Sequence, residues 1–321
     1  MSFTIILPVY GCSPWLGEAV ESVIQQVSSD WELIIADDGS DNAAKLWLQN
    51  KLEKLKKNYR IKWIQRPINL GLFKNLNQAI QESSTDWILL LCSDDRLKPS
   101  AVTSLQQLRQ RWESVSLILS TFESINSDGS LRPPDSSQHH DQLRMDTGLI
   151  APDQMVTELL RLGSLNGNIT GMAFSKKHWD ESGPFREDWR HAADWEWLIR
   201  ASEAKPLLLN RQPIAAVRTH ELQLSVSNRH SGHECREVAE VVRILLKHPT
   251  LSDQPMKSEW AGHVMQFQLW NLLKGIRQGN WRQWTEGLKA IHSSAGLRQT
   301  GLSLLRWLPT RWARKKKVKE T

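Results

Sequence analysis

Apolar positions in the first hundred residues fall into two kinds of run that alternate along the chain. Phe3 to Val9, Trp31 to Ala36, Ile61 to Gln65 and Trp87 to Cys92 are short and nearly continuous, the pattern of strands covered on both faces. Between them apolar residues recur at helical spacing: Leu16, Val20, Val23 and Ile24, then a stretch from Ala43 to Leu55, then Leu72, Phe73, Leu76, Ala79 and Ile80. Ser13 followed by Pro14 supplies the cap and first-turn chemistry that opens the first of these helices. Alternating strands and helices predict an α/β fold with a doubly wound, mostly parallel sheet and right-handed crossovers. Ligands of such sheets sit at the carboxyl ends of the strands. Pro8-Val9-Tyr10, Asp37-Asp38 and Asp94-Asp95 all fall there.

Further along, the pattern predicts a helix from Ser100 to Trp112 and a strand from Leu117 to Thr121, with a hairpin turn at Asn126-Ser127-Asp128-Gly129. Residues 132–148, with two prolines, Ser136-Ser137 and His139-His140, read as a mobile loop. A helix over Pro152 to Leu162, a strand over Asn166 to Phe174, a helix over 194–204 and short strands at Leu207 to Leu209 and Ile214 to Val217 complete this part. Residues 233–313 read as several helices. Val238, Val241, Val242, Leu245 and Leu246 share one face, and Trp260, Val264, Phe267, Trp270 and Leu273 form another stripe.

Composition adds limits. With 321 residues, 40% hydrophobic and 24% charged, the chain is ordinary for a globular protein and predicts one large domain with an appendage. Cys12, Cys92 and Cys235 have no metal-binding spacing and fit a reducing cytosol. The N-terminus begins at once with a strand and lacks the features of a signal peptide, and no apolar run approaches the roughly 18 residues of a membrane span. The net charge of +6 is concentrated in Arg311, Arg314, Lys315, Lys316, Lys317 and Lys319. The remainder is near neutral, which argues against a general affinity for nucleic acid. Apolar residues Leu304, Leu305, Trp307, Leu308 and Trp312 adjoin that cluster. This is the composition of a peripheral anchor on an anionic membrane, as well as of a solvated tail after a packed helix.

Asp94 and Asp95 carry the strongest candidate chemistry. Adjacent carboxylates at a strand end repel unless a cation lies between them, and hard oxygen ligands suit a divalent ion that also holds phosphate. A polar turn closing the strand is the plain alternative. The chain has neither a glycine-rich dinucleotide turn nor a GxxxxGK[ST] loop, so a cation clamped by acids is the available device for holding phosphate. His139-His140 has no acid or cysteine spaced with it and reads as a solvated pair.

Here the residues reach a family. Ile5-Ile6-Leu7-Pro8-Val9-Tyr10, Glu21-Ser22-Val23-Ile24-Gln25-Gln26, Asp37-Asp38-Gly39-Ser40, Asn69-Leu70-Gly71 with Asn77, and Ser93-Asp94-Asp95 followed by Leu97 and Pro99 resemble family 2 glycosyltransferases of the GT-A fold. The resemblance runs over residues 3–225. It implies a nucleoside pocket lined by Pro8 and Tyr10, with Asp37 and Asp38 on base and ribose and Asn69, Gly71 and Asn77 beside them. It also implies Asp94 and Asp95 as DXD-type acids holding Mn²⁺ or Mg²⁺ on the diphosphate. Gly183-Pro184-Phe185 and Asp194-Trp195-Glu196-Trp197-Leu198-Ile199-Arg200 match the segment that carries the family's base, which implies Asp194 in that role and leaves Asp188 and Glu196 in reserve. A carboxylate at a helix start is expected to stay ionised, and helix capping is the other use of Asp194. His220, after Arg218-Thr219, matches a histidine that completes the metal shell or touches the diphosphate. Three positions depart from the pattern: Cys92 and Ala193 stand where many members have acids, and Leu76 where a subgroup has arginine.

The implied architecture is a GT-A domain over residues 1–225, with a nucleotide-sugar half (1–100) and an acceptor half (101–225), and a helical extension over 226–321. The implied function is inverting transfer of a sugar from a nucleotide-diphosphate donor, a UDP-sugar, to a hydroxyl of a saccharide or lipid-linked acceptor in cell-surface polysaccharide or glycan synthesis. The enzyme would be cytoplasmic, at the inner face of the membrane, with no nucleic-acid partner. A fold relative that binds nucleotide sugar without transferring it, and a nucleotidyltransferase, are the alternatives.

Overall fold

The computed structural model describes residues 2–55, 57–132, 140–143, 146–165, 168–203, 205–276 and 279–320, with the backbone alone over 310–320. The first unit of the chain comprises residues 1–155, 165–188 and 200–221. It opens with β1 (Phe3–Val9), α1 (Leu16–Ile24), β2 (Trp31–Asp37), α2 (Asn42–Leu55), β3 (Ile61–Gln65), α3 (Leu72–Gln81) and β4 (Trp87–Leu90). Strands β3, β2, β1 and β4 lie side by side and parallel, so the alternation read from the apolar runs holds. Beyond β4 come β5 (Arg96–Leu97), α4 (Ala101–Arg111), β6 (Leu117–Ile125), β7 (Gly148–Ile150), α5 (Pro152–Leu162), β8 (Met172–Ser175), α6 (Lys176–Ser182), α7 (Ala193–Ser202) and β9 (Leu207–Arg218). The sheet continues from β4 as β8, β6, β9 and β5, with β7 also on β9. In this half β8 runs antiparallel to β4 and β6, while β6 and β9 are parallel.

The continuous apolar runs are explained by cover on both faces. Phe3, Ile5, Leu7 and Val9 of β1 pack with Leu16, Val20 and Val23 of α1, Leu48 and Leu52 of α2, and Val102 and Leu105 of α4. The alternate residues Ile6, Ile34, Ile88 and Leu90 are buried as well, as are Phe73, Leu76, Ala79 and Ile80 of α3, which packs on β1 and β2. Truncating a fully buried leucine such as Leu16 would cost about 2–5 kcal/mol.

Several expectations need correction; the first helix, for one, starts at Leu16 with Trp15 rather than Ser13 at its N-cap and no side-chain capping bond. Of the strand expected over Asn166 to Phe174, Met172–Ser175 forms among the described residues, Asn166 and Gly167 lying outside them; Gly171 turns through φ +84, and Asn168 and Thr170 direct polar side chains to their own turn and to Asp95. The two short strands expected at 207–209 and 214–217 are one, β9, with a register shift opposite Ser120 and Phe122. His140 is buried, its Nδ1 2.6 Å from Thr121 Oγ1, whereas a solvated pair was expected; His139 and most of the loop around it lie outside the described residues.

The second unit comprises residues 156–164, 189–199 and 222–321. It holds most of α5, the start of α7, and α8 (Leu224–His230), α9 (His233–Lys247), α10 (Lys257–Ile276), α11 (Trp281–Ser293) and α12 (Leu297–Glu320). The face of α9 read from the sequence is buried at Val238, Val241, Val242 and Leu245. The α10 stripe is only partly so: Phe267 and Leu273 are exposed, Trp260, Val264 and Trp270 are half-buried, and the buried residues are Ala261, Gly262, Met265, Gln266 and Gln268. Gly262 lets α12 approach, since a Cβ there would lie 2.8 Å from Gln299 Cγ.

Candidate active site

Three loops of the first unit leave the carboxyl ends of β1, β2 and β4. Pro8 is buried at the end of β1 opposite Ala36, while Tyr10 is 66% exposed. The Gly11 amide donates to Ser40 Oγ at 2.9 Å and the Asp38 amide to the Val9 carbonyl at 2.8 Å, which ties the first two loops together. Asp37 is fully buried. Its Oδ1 accepts from the Ser40 amide at 2.9 Å, and its Oδ2 is buried with no hydrogen-bond partner among the described residues, an arrangement that calls for a ligand donor. Asp38 accepts from the amides of Leu70 at 2.7 Å and Gly71 at 2.9 Å. Burial pushes its carboxyl up, against those two amides. Asn69 Oδ1 also accepts from Gly71. Gly39 between these groups has φ +74, and a Cβ on it would meet the Ile68 carbonyl carbon at 2.5 Å, so this turn requires glycine.

Asn77 is buried and committed to protein: its Nδ2 donates to the Phe185 carbonyl at 2.8 Å and its Oδ1 accepts from the Phe185 amide at 3.0 Å. It thus ties α3 to the Gly183-Pro184-Phe185 segment.

At the end of β4, Cys92, Asp94 and Asp95 each present one ligand atom, and these atoms lie within 4.8 Å of one another. Asp95 is 1% exposed. Its Oδ1 accepts from the Arg218 amide at 2.8 Å, and Oδ2 accepts from Thr170 Oγ1 and Asn168 Nδ2. Burial, and after it the neighbouring Asp94, push its carboxyl up to about 7. Asp94 Oδ2 lies 2.8 Å from His220 Nε2, and His220 Nδ1 is buried with no partner among the described residues. Two carboxylates, a thiol and an imidazole form a donor set that fits a divalent cation. His220 reaches the group by way of Asp94 and is not itself within the 4.8 Å set.

Arg218, which the sequence pattern marked only as a neighbour of His220, organises this end of the sheet. It is fully buried. Its Nε donates to the Asp94 carbonyl at 3.0 Å, Nη1 to the carbonyls of Asn126 and Ser127, and Nη2 to Glu18 Oε2 at 2.7 Å. The guanidinium lies 5.2 Å from the Trp15 ring centre, and Trp15 packs on His220 at 4.2 Å between centroids. A single side chain thus joins the turn after β4, the hairpin after β6 and the start of α1. The sequence contained a signal: an arginine continues the apolar run Ile214 to Val217, where a buried charge needs several acceptors.

In the second unit, Asp194 lies in the first turn of α7 and is partly buried. Burial pushes its carboxyl up, while His191 and the amides of Trp195 and Asp194 itself pull it back. Burial therefore works against the ionised form expected from the helix start alone. Of the reserve residues, Asp188 is exposed and held low by its hydrogen bonds to Arg186; Glu196 is buried on α7.

A sequence model described as glycosyl transferase family 2 matches residues 4–171. The chain belongs to that family. The match covers the loops after β1, β2 and β4 and ends before Asp194 and His220. The chondroitin synthase of Pasteurella multocida is 25% identical over 209 residues, which is 62% of this chain and 19% of that protein; the chain thus spans about a fifth of the length of that relative. Among solved structures, S. aureus TarS 1–349 in complex with UDP-GlcNAc superposes with a TM-score of 0.67 at 16% identity, covering 99% of this chain and 89% of that one. A mannosyltransferase from Pyrobaculum calidifontis with GDP-Man and Mn²⁺ gives a TM-score of 0.55 at 12% identity, over 94% of this chain and 86% of that one. The fold is accordingly the GT-A fold expected from the resemblance.

Proposed function

We propose that the chain transfers a sugar, with inversion, from a UDP-sugar to a hydroxyl of a saccharide or lipid-linked acceptor in cell-surface polysaccharide or glycan synthesis. The observation that carries this reading is the Cys92, Asp94 and Asp95 group, which lies inside the family match and at the same sheet edge as the unpartnered oxygen of Asp37. Asp94, Asp95 and His220 would hold Mn²⁺ or Mg²⁺, which when bound supplies positive charge to the leaving diphosphate. Pro8, Tyr10, Asp37, Asn69 and Gly71 would receive the nucleoside. Asp38 shapes that pocket by holding the Leu70 and Gly71 amides, and Asn77 supports it from behind through Phe185. Asp194 takes the proton of the acceptor hydroxyl as that oxygen attacks opposite the diphosphate.

The same reading puts the chain in the cytoplasm, at the inner face of the membrane. It is supported by the exposed Leu302 and Leu305 of α12, ahead of the basic tail. No helix among the described residues is long and apolar enough to cross a membrane.

Calorimetry of UDP binding tests the site. The wild-type chain is expected to bind UDP with Mn²⁺ and to lose most of that affinity in EDTA, and Asp94→Asn to lose the metal-dependent part. Equal UDP affinity with and without metal would remove the metal from the reading. Turnover is tested separately, because Asp194→Asn is expected to keep UDP affinity and to lose donor hydrolysis by at least about 10²-fold, the usual scale for a general base.

A further inference from the structure

The helix α9 carries an acid on its buried side. Glu237 is 7% exposed, beside Val238 and Val241, where a carboxylate is costly unless its oxygens are hydrogen-bonded. They are: Oε1 accepts from the Arg190 amide at 2.9 Å, and Oε2 from the amides of His191 at 2.7 Å and Ala192 at 2.9 Å. These three residues run directly into Ala193, the first residue of α7. Asn228 of α8 fixes the same segment from its other side, Nδ2 donating to the Arg190 carbonyl at 2.7 Å. The amides entering a helix are its positive end and ordinarily stabilise an acid in its first turn. Glu237 holds the amides just ahead of α7, while the amides of Asp194 and Trp195 within its first turn serve Asp194 itself.

We propose that Glu237 is a positioning residue for the base: it fixes the 190–192 segment so that α7 begins where Asp194 is presented. The inference rests on Asp194 being the base and gives the helical region a part in the chemistry. The charged groups around the segment are His191 and Arg190 on it, Glu237, His233 and Arg236 on α9, and Glu196 in the same turn as Asp194. His233 Nδ1 lies 3.8 Å from Glu237 Oε1, and burial, with Arg236 and Arg190, holds that imidazole low. Burial is the main cause that raises the Asp194 carboxyl and the Glu237 charge adds to it, opposed by His191. A carboxylate that holds its proton more tightly is the stronger acceptor for a hydroxyl proton.

The test follows the Asp194 carboxyl itself by carbon-detected NMR of the full chain labelled at aspartate, with Asp194→Asn to assign the signal. In Glu237→Gln the midpoint is expected to fall, because the Glu237 charge is one of the groups that raise the Asp194 carboxyl. In Glu237→Asp, which keeps the charge, it is expected to stay within a few tenths of a unit of wild type. An unmoved or raised midpoint in folded Glu237→Gln overturns the proposal. Hydrogen exchange on the wild-type chain supplies a check that needs no variant to fold: amides 190–192 are expected to be protected like the interior of α9, and exchange at the rate of an open loop overturns the proposal equally. Donor hydrolysis by Asp194→Asn separates the two levels. Normal turnover would sink the base assignment and this inference with it, whereas an inactive Asp194→Asn with an unmoved midpoint in Glu237→Gln sinks the inference alone.

Discussion

Cys92 stands where an oxygen ligand would make the group after β4 uniform, and its sulfur softens the donor set. Thiolate and thioether ligands favour softer ions, and Mg²⁺ favours oxygen. Cys92→Asp is therefore expected to raise Mg²⁺ affinity by about tenfold relative to Mn²⁺, measured by calorimetry with UDP present; an unchanged Mg²⁺ to Mn²⁺ ratio would show that the sulfur is not a ligand. Arg218 acts through protein alone. Its removal would strand the carbonyls of Asp94, Asn126 and Ser127 and the carboxylate of Glu18, so Arg218→Ala is expected to lose about 3–5 kcal/mol of stability. Lysine lacks the planar fork and should not rescue it; thermal unfolding of both variants checks this. Asp194 has a pH signature. The folded chain holds its proton above the ordinary carboxylate range, because burial raises the carboxyl. Activity that needs the ionised base should therefore fail on the acid side at a pH above about 4, the unperturbed value. The stability linked to this group has the matching sign: it is fully present below the unfolded value and is lost as pH rises through the folded one. The pH dependence of kcat/KM and of urea unfolding report the two separately.

At the scale of elements, β1 and β3 have the boundaries read from the apolar runs, and α5 likewise, because burial on both faces or on one stripe writes itself directly into the order of residues. The errors cluster where a polar side chain takes over a backbone role. Asn210 bonds the amide and carbonyl of Gln212, which lets β9 continue through Asn210-Arg211-Gln212-Pro213, a stretch that reads as a break. Thr170 and Asn168 serve Asp95 instead of extending β8. The turn after β2 offers a direct test. Gly39→Ala would place a methyl 2.5 Å from the Ile68 carbonyl carbon at a positive φ, so the turn must open, and with it the Asp38 contacts to Leu70 and Gly71. A loss of about 2 kcal/mol or more in stability is expected, within the range for backbone strain, together with weaker UDP binding; normal UDP affinity would place the nucleoside elsewhere.

At the scale of the molecule, the residues that adjoin the basic tail divide. Leu304 is buried and Trp307 is half-buried, packing edge-on against Phe267 at 5.2 Å and Trp270 at 6.1 Å, while Leu302 and Leu305 are exposed; the side chain of Trp312 lies outside the described residues. The chain is expected to sediment with anionic but not neutral liposomes at low salt, at roughly 1 kcal/mol per basic residue, and deletion of residues 311–321 should release it without loss of donor hydrolysis. Equal sedimentation with both vesicle types would overturn the electrostatic anchor. What the sequence determined by itself is the strand and helix order of the first hundred residues and the loops that carry Asp37, Asp38, Asp94 and Asp95, because local periodicity and turn chemistry are properties of neighbours in the chain. Only the tertiary structure decided that Arg218 clamps the Asp94-Asp95 turn from 124 residues away and that Asn77 serves Phe185. It likewise decided that Glu237, on a helix read as packing alone, holds the amides of residues 190–192 just ahead of α7. A buried charge is satisfied by whichever donors and acceptors the fold brings within about 3 Å, and no periodicity in the chain records that distance.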